Sequence, residues 1–428
     1  MSSRVTVNSK LTVVSSKPVR AGNHTLSAVD RGMRPHTLHI ILYYNNQERW
    51  FESFDLDPLR ESLSKVLTLY PTVTGRLGPG LDGEWEVKCN DAGVRVLKAT
   101  VHATLHQWLQ TASGSEEKLL VSWDDMPHDP STWSPFRIQI NSFQGGGVAI
   151  GVSCSHMVAD LTFVFSFLKS WTEVHRHMPI THPPLVAPLS LPLPNDVSLP
   201  RHANAASPIN MGTASFKFSS SIIKQCLSKL HHACPNATPF DFLAALFWTR
   251  LASLKPPKTH HSLCICTDFR SVLKPSLPIG YFGNALHFST LSHKAEDMQL
   301  GGIVSAVHTH LEGISDEQIW CGINKAYGEE LTCVCMEHLV VVGKEGEDDC
   351  SLVYAAMFGN NQKPAHVSCR VGNVEGEGLI VVMPSSEGGF SRTVMVTLPE
   401  EQLVRLTRDE PILDLDPTML LAACLLDH

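Results

Sequence analysis

Residues 147–174 of the chain read GVAIGVSCSHMVADLTFVFSFLKSWTEV and contain two hydrophobic periods in succession. In the first part every second residue is large and apolar, namely Val148, Ile150, Val152 and Cys154. This alternation with small residues is typical of a β-strand that has one crowded face. In the second part apolar residues recur at helical spacing, namely Leu161, Val164, Leu168 and Trp171. The stretch therefore predicts a buried strand, a short turn and an amphipathic helix.

His156 lies in the predicted turn, and Asp160 directly precedes the helix, where aspartate is a favoured N-cap. A strand end is a rigid place from which an imidazole can project into a cleft. Because imidazole titrates near neutrality, it can take a proton from an alcohol or amine that attacks a thioester carbonyl. His156 is therefore a candidate general base, with Asp160 fixing the local geometry. The alternative is a half-buried histidine with a structural role only.

The same spacing of histidine and aspartate occurs a second time, at His293 and Asp297 in the sequence HKAED. This copy is polar and lacks a following apolar helix, and we also expect no strand before it. We interpret it as a solvated surface segment. The comparison indicates that the spacing alone has little specificity and that its surroundings decide its meaning.

The chain has 428 residues, more than one hydrophobic core usually supports, so two domains are expected. Between Pro179 and Pro200, seven prolines exclude regular structure and favour an extended connector. We predict an N-terminal lobe at 1–178, a linker at 179–204 and a C-terminal lobe at 205–428. Mixed helix and strand signals in both lobes predict the α/β fold class.

Local patterns predict further elements in each lobe. In the first lobe, helical spacing precedes Pro71 at Leu63, Val66, Leu67 and Tyr70. In the second lobe, residues 238–251 predict a buried helix, and residues 379–383 and 393–397 predict strands separated by a turn at Gly388-Gly389. Pro399 is predicted to be the first residue of a later helix.

Charge and composition argue against several classes of partner. The net charge is −8, and lysines and arginines are scattered, so neither nucleic acid nor an anionic membrane is an expected partner. Residues 1–17 lack the apolar core of a signal peptide, and no apolar run approaches the length of a spanning helix. The 12 cysteines form no CxxC pair, and no HExxH is present, so we expect reduced thiols and no metal site.

Several stretches in chain order resemble one family. SHMVAD at 155–160 resembles the HxxxD element of plant BAHD acyltransferases. Similar agreement is found for SLSKVLTLYPTVTGRL at 62–77, CNDAGVRV at 89–96, PFDFLAALFW at 239–248, TDFRSVLKPSLPIGYFGN at 267–284 and VTLPEEQLVRL at 396–406. The resemblance implies a two-lobed, CoA-dependent, chloramphenicol acetyltransferase-like fold with a channel between the lobes.

The resemblance also implies a mechanism. His156 is then the general base, and Asp160 is a structural residue that pairs with Arg270. Acyl-CoA is the implied co-substrate and an alcohol or amine the implied acceptor, with no bound cofactor and no metal. A cytoplasmic monomer is the expected form of the protein.

The family's second motif, Asp-Phe-Gly-Trp-Gly followed by a basic residue and proline, has only a partial counterpart in MFGNNQKP at 357–364. Phe358, Gly359, Lys363 and Pro364 agree with it, whereas the aspartate and the tryptophan are missing. With this departure and with residues 122–156, the sequence most resembles the Eceriferum/Glossy branch of the family.

That branch implies a role in very-long-chain fatty acid elongation and cuticular wax biosynthesis. Three functions stay open at this point: acyl transfer within wax biosynthesis, acyl transfer in specialised metabolism, and non-catalytic assistance to a ketoacyl-CoA synthase at the endoplasmic reticulum surface.

Overall fold

The computed structural model describes residues 3–19, 22–46, 49–51, 58–81, 83–186, 210–255, 260–320, 339–342, 352–359, 362–374 and 376–421. Most of the predicted linker, residues 187–204, lies outside these ranges. None of the helices in the described ranges has the length and apolar character needed to cross a bilayer.

The helices are α1 (Ala28–Gly32), α2 (Pro58–Leu67), α3 (Leu105–Thr111), α4 (Gly114–Glu117), α5 (Leu161–His175), α6 (Ser220–Leu230), α7 (Pro239–Ser253), α8 (Leu300–Glu312), α9 (Glu400–Leu406) and α10 (Glu410–Leu413). The strands are β1 (Val5–Val13), β2 (His24–Thr25), β3 (Thr37–Tyr44), β4 (Arg76–Pro79), β5 (Trp85–Lys88), β6 (Val94–Thr104), β7 (Phe136–Gln144), β8 (Val148–Ser155), β9 (Met211–Phe218), β10 (His260–Asp268), β11 (Leu286–Lys294), β12 (Leu339–Val342), β13 (His366–Gly372), β14 (Leu379–Pro384), β15 (Arg392–Pro399) and β16 (Thr418–Leu420).

Two large sheets organise the molecule. The first sheet has the strand order β1-β6-β7-β8-β3-β13, and its pairs are antiparallel except for β6 with β7. The second sheet has the order β11-β10-β12-β14-β15-β9-β16, with parallel pairs at β10–β12 and β12–β14. Strands β2, β5 and β4 form a third, small sheet. The α/β prediction is confirmed.

Each lobe has its own hydrophobic core, and the second sheet contributes to both. Helices α2 and α5 pack on one face of the first sheet, and side chains of the second sheet such as Cys266, Val381 and Met395 join the same cluster. The opposite face of the second sheet packs against α7 and α8, through side chains such as Ile265 and Val382. The two lobes are therefore joined by shared apolar packing, which is the main stabilising contribution to folding.

The local predictions agree closely with these elements. The predicted helix at 238–251 is α7, which Thr238 caps with a side-chain hydrogen bond to the backbone N–H of Asp241, and twelve of its residues are buried. The two predicted strands are β14 and β15, and Gly388 and Gly389 both have positive φ in the turn between them. Two boundaries were wrong. Pro399 is the N-cap of α9 and not its first helical residue, and α2 ends at Leu67, so Tyr70 lies outside the helix.

The predicted division into lobes does not account for one segment. Strand β13 belongs by sequence to the predicted C-terminal lobe, yet it pairs with β3 at the edge of the first sheet. The chain therefore returns to the first lobe after building part of the second. Hydrogen bonding along an open sheet edge drives this return, and a local hydrophobic period does not report it.

We predict that Leu63→Ala will lower the free energy of unfolding by about 2–5 kcal/mol, because it leaves a cavity in the first core. Leu63 on α2 has no exposed surface. Leu69, just after the same helix, is 46% exposed, so Leu69→Ala is the matched control and should have little effect. Urea unfolding of both variants measures the difference, and equal midpoints would contradict the packing described above.

Candidate functional site

The predicted strand, turn and helix are present as β8, residues 156–160 and α5. Asp160 is the N-cap of α5, and its Oδ1 accepts a hydrogen bond from the backbone N–H of Phe163 at 2.9 Å. His156 follows the last residue of β8 directly. The N-cap prediction is confirmed, and the cap fixes the direction in which the chain leaves the turn.

The carboxylate of Asp160 forms the buried ion pair with Arg270 that the resemblance implied. Arg270 Nη1 donates to Oδ2 at 2.7 Å and Nη2 donates to Oδ1 at 3.1 Å, so the contact is bidentate. The backbone N–H of Ala285 adds a fourth hydrogen bond, to Oδ2 at 2.9 Å. Asp160 is 1% exposed and Arg270 is 3% exposed. Burial of both charges is tolerable because the carboxylate is fully satisfied.

Arg270 has further partners that tie it to the loop after β10. Its Nη1 also donates to Asp268 at 2.7 Å, and its Nη2 donates to the carbonyls of Tyr281 and Gly283. Asp268 in turn accepts from Thr162 on α5 at 2.6 Å. Burial opposes the guanidinium charge, but Asp160 and Asp268 outweigh it and hold the pKa of Arg270 above its usual value.

The backbone of His156 is fixed from two sides. Its N–H donates to the carbonyl of His36 at 3.0 Å, and its carbonyl accepts from Asn284 Nδ2 at 2.7 Å. Asn284 is held in place by Asp30, whose Oδ1 accepts from both the backbone and the side-chain nitrogen of Asn284. Asp30 is 1% exposed, and this burial raises the pKa of its carboxyl.

The imidazole of His156 sits in a largely desolvated environment, since the residue is 7% exposed. Burial lowers the pKa of His156 from its usual 6.5 to about 4, and the nearby carbonyls of His156 and Ala159 and the Asn284 side chain oppose this only in part. None of the described residues forms a hydrogen bond with Nδ1. The ring is therefore neutral at physiological pH and able to accept a proton.

The residues of the second motif lie in a separate aromatic cluster. Phe358 is fully buried, stacks on Trp50 at 5.4 Å and meets Trp171 of α5 edge-on at 5.0 Å. Gly359 has φ of +44°, and a Cβ there would lie 2.8 Å from the Cβ of Trp50, so glycine is required. Lys363 is exposed and Pro364 is buried.

This cluster and the turn at His156 are not in direct polar contact. Within the described part of the chain, no hydrogen bond, ion pair or ring contact joins Phe358, Gly359, Lys363 or Pro364 to His156. The structure therefore brings His156, Asp160 and Arg270 together, and of the second-motif residues it packs Phe358 into the first-lobe core. Residues 360 and 361 of the motif lie outside the described ranges.

The second HxxxD copy lies at the surface, as expected, although two details of the prediction were wrong. An apolar helix does follow Asp297, because α8 begins at Leu300 and buries Ile303, Val304 and Val307. His293 lies on a strand, near the end of β11, whereas we expected no strand there. Asp297 is exposed and belongs to a short 3₁₀ segment. Asp160 is buried and bonded, so the two copies have different surroundings.

Sequence reasoning missed His36, Asp30, Asp268 and Asn284 as parts of this site. Asp268, Arg270 and Asn284 all lie in the stretch quoted at 267–284, but no local period distinguishes them. Ser27 and Asp30 form a capping box at α1, which was the one local signal available for Asp30. A search of the described residues gives no cluster of three or more His, Cys, Asp or Glu side chains suited to a metal ion.

The chain is similar to several known proteins. The family model described as "Transferase family" matches residues 3–411. A hydroxycinnamoyltransferase of Narcissus pseudonarcissus is 25% identical over 396 residues, 86% of this chain and 90% of that protein. Protein ECERIFERUM 2 of Arabidopsis thaliana is 24% identical over 413 residues, 90% of this chain and 92% of that protein.

Among solved structures, vinorine synthase is similar in fold, with a TM-score of 0.74 at 22% identity over 93% of this chain and 96% of that one. This likeness confirms the predicted two-lobed fold.

We predict that Asp160→Asn will lower the free energy of unfolding by about 3–5 kcal/mol, because it removes the bidentate, buried carboxylate partner of Arg270 and leaves only the more exposed Asp268 to balance the buried charge. Asp409→Asn is the matched control. Asp409 also binds an arginine through two of its nitrogens, but the side chain of that partner, Arg250, is 30% exposed and can be solvated. Urea midpoints should fall further for Asp160→Asn, and a larger fall for Asp409→Asn would refute the ranking.

Proposed function

Because this chain belongs to the Transferase family of BAHD acyltransferases, we propose that it transfers an acyl group from acyl-CoA to an alcohol or amine, with His156 as the general base. The observation that supports this most directly is the geometry of His156. Its backbone is bonded on both sides, its ring is neutral, and Nδ1 is buried with no hydrogen-bond partner among the described residues. Acyl-CoA is the proposed co-substrate, and a solved structure of similar fold, TRI101 of F. sporotrichioides, holds coenzyme A.

In the proposed reaction the acceptor oxygen or nitrogen attacks the thioester carbonyl carbon while the His156 imidazole takes its proton. A tetrahedral intermediate forms, and the C–S bond then breaks. The imidazolium returns the proton to the departing CoA sulfur, so CoA leaves as the thiol and the base is regenerated.

Asp160 has a structural role in this proposal. Both of its oxygens already accept hydrogen bonds from Arg270, and each accepts one more from a backbone N–H. A carboxylate so engaged is not placed to orient the His156 ring as the aspartate of a Ser-His-Asp triad does. His156 therefore acts without a carboxylate partner.

The second candidate is non-catalytic assistance to a ketoacyl-CoA synthase in very-long-chain fatty acid elongation and wax biosynthesis, at the cytoplasmic surface of the endoplasmic reticulum. Two observations favour it: the second motif lacks its aspartate and tryptophan, and the chain is similar over most of its length to protein ECERIFERUM 2. The relatives also include hydroxycinnamoyltransferases, so acyl transfer ranks first.

We expect His156→Ala to lower acyl transfer at least about 100-fold, because removal of a general base usually costs that much or more. His293→Ala, in the second HxxxD copy, is the matched control and should retain activity. Release of CoA thiol from a panel of acyl-CoA donors and acceptors is the measurement. CoA release that is equal for wild type and His156→Ala would exclude His156 as the base.

The pH profile of kcat/KM should have its acid limb near pH 4 and not near 6.5, because burial lowers the pKa of His156 to about 4. The base works only when unprotonated, so activity is lost as pH falls through that pKa and is retained above it. Circular dichroism at each pH separates this loss from unfolding. An acid limb near 6.5 in folded protein would show that the ring is solvated during catalysis.

Co-expression with a ketoacyl-CoA synthase tests the second candidate. If it is correct, wild type lengthens the acyl products and His156→Ala lengthens them equally, because no general base is involved. Product chain lengths are read by gas chromatography of the cellular fatty acids. Chain lengths that do not change with wild type would eliminate the elongation role.

A further inference from the structure

A small cavity lies where the edge strand β13 of the first sheet meets β9 and β15 of the second sheet. Its polar lining consists of Glu117, Thr213, Ser215, Ser368, Arg370 and Thr397. Its volume is about 20 Å³, and a site needs roughly 10–15 Å³ to hold one water molecule. The cavity is therefore large enough for one water and has the polar lining that water requires.

Glu117, the last residue of α4, is the buried acid of this cavity, at 8% exposure. Its Oε1 accepts from the Tyr43 hydroxyl at 2.7 Å, and its Oε2 accepts from the Ser368 hydroxyl at 3.0 Å. In the described part of the chain no cation lies within ion-pairing distance of it. A buried carboxyl that meets only hydroxyl groups is more stable in its neutral form, and burial accordingly raises the pKa of Glu117.

Arg370, which is half-buried, supplies the guanidinium of the same cavity. It lies two residues after Ser368 on β13, so the two side chains project from the same face of the strand. Burial lowers the pKa of Arg370, and the Glu117 charge opposes this lowering. Two polar groups that line one cavity without direct contact are placed to share a water molecule.

We propose that the cavity is a water-binding site in which a neutral Glu117 carboxylic acid and the Arg370 guanidinium share one bound water, and that this water links the two sheets. The water accepts a hydrogen bond from the Arg370 guanidinium and forms a second hydrogen bond with the Glu117 carboxylic acid. The hydroxyls of Thr213 and Ser215 on β9 and Thr397 on β15 supply its partners from the second sheet. Three to four bonds of this kind are usual for a buried water.

A neutral Glu117 makes this cavity a proton-binding site as well. The titratable groups around it are the following. Lys118 follows Glu117 in the chain, and its charge interacts with the charges of Arg370 and of Glu400 on α9. Cys369 lies between Ser368 and Arg370, and burial raises the pKa of its thiol.

Tyr43 faces Glu117 from β3, and burial raises the pKa of its phenol as well. His366 on β13 stacks on Tyr43 at 5.6 Å, and His39 on β3 lies opposite Arg370. Burial lowers the pKa of His366 to about 4 and that of His39 to about 3, so both are neutral where burial keeps the Glu117 carboxyl protonated.

Glu117→Gln tests the proton, because an amide imitates the neutral acid but does not titrate. In wild type the native carboxyl keeps its proton above pH 4.5, where the unfolded one loses it. Wild-type stability should then fall as pH rises through that window, by up to about tenfold in the unfolding equilibrium constant per pH unit. Glu117→Gln should not show this fall. From pH 5 upward its urea midpoint should therefore exceed that of wild type by an amount that grows with pH.

Glu116→Gln is the matched control, because it removes the same charge from the neighbouring residue, which pairs with Arg4 at 3.2 Å. It should keep the pH dependence of wild type. A divergence that favours wild type at high pH would indicate a direct Glu117–Arg370 ion pair, and no divergence would indicate no bound proton. Either result overturns the proposal.

A high-resolution crystal structure of the wild-type protein tests the water. The expected finding is one ordered water within about 3.5 Å of both a Glu117 oxygen and an Arg370 nitrogen. A dry cavity, or a direct contact between the two side chains, would overturn the proposal whatever the result of the titration. Neither test depends on catalytic activity, so both are independent of the proposed function.

Discussion

The buried ion pair between Asp160 and Arg270 is the constraint on which the site depends. Two charges can be removed from water only when each is compensated by the other and by hydrogen bonds, and the Asp160 carboxylate accepts four. Those donors come from the first turn of α5, from Arg270 and from Ala285, which follows the loop after β10. Meeting all four at once fixes the start of α5 against the second lobe. The position of the turn at His156 follows from that arrangement.

The same arrangement gives the structural role to Asp160 and Arg270 and leaves the proposed proton transfer to His156. The four donors occupy both oxygens of the Asp160 carboxylate, so Asp160 does not pair with the His156 imidazole, which burial keeps neutral. A neutral imidazole can accept a proton, but a pKa of about 4 makes it a weaker base than an ordinary histidine, so the proposed reaction depends on an acceptor held close to the thioester. Asp160 and Arg270 position the base without taking part in proton transfer.

The two lobes are not independent units. The chain builds the first sheet, then most of the second, and returns with β13 to the edge of the first sheet. Phe358, just before that strand, packs against Trp171 of α5 in the first core. The two sheets also meet at the cavity that is lined by the Glu117 carboxyl, by Arg370 and by hydroxyl-bearing residues of both sheets. Relative movement of the lobes must therefore disturb both apolar packing and a buried polar junction.

The sequence by itself determined the elements whose signals are local. The alternation in β8, the period of α5 and α7, the caps at Asp160 and Thr238 and the Gly388-Gly389 turn could be predicted because each depends on residues a few positions apart. Arg270 was added by family resemblance, since it lies 110 residues from its partner. Tertiary structure alone decided the support of His156 by His36 and Asn284, the return of β13 and the depressed pKa of the imidazole. These depend on desolvation and on contacts between distant segments, which no local period encodes.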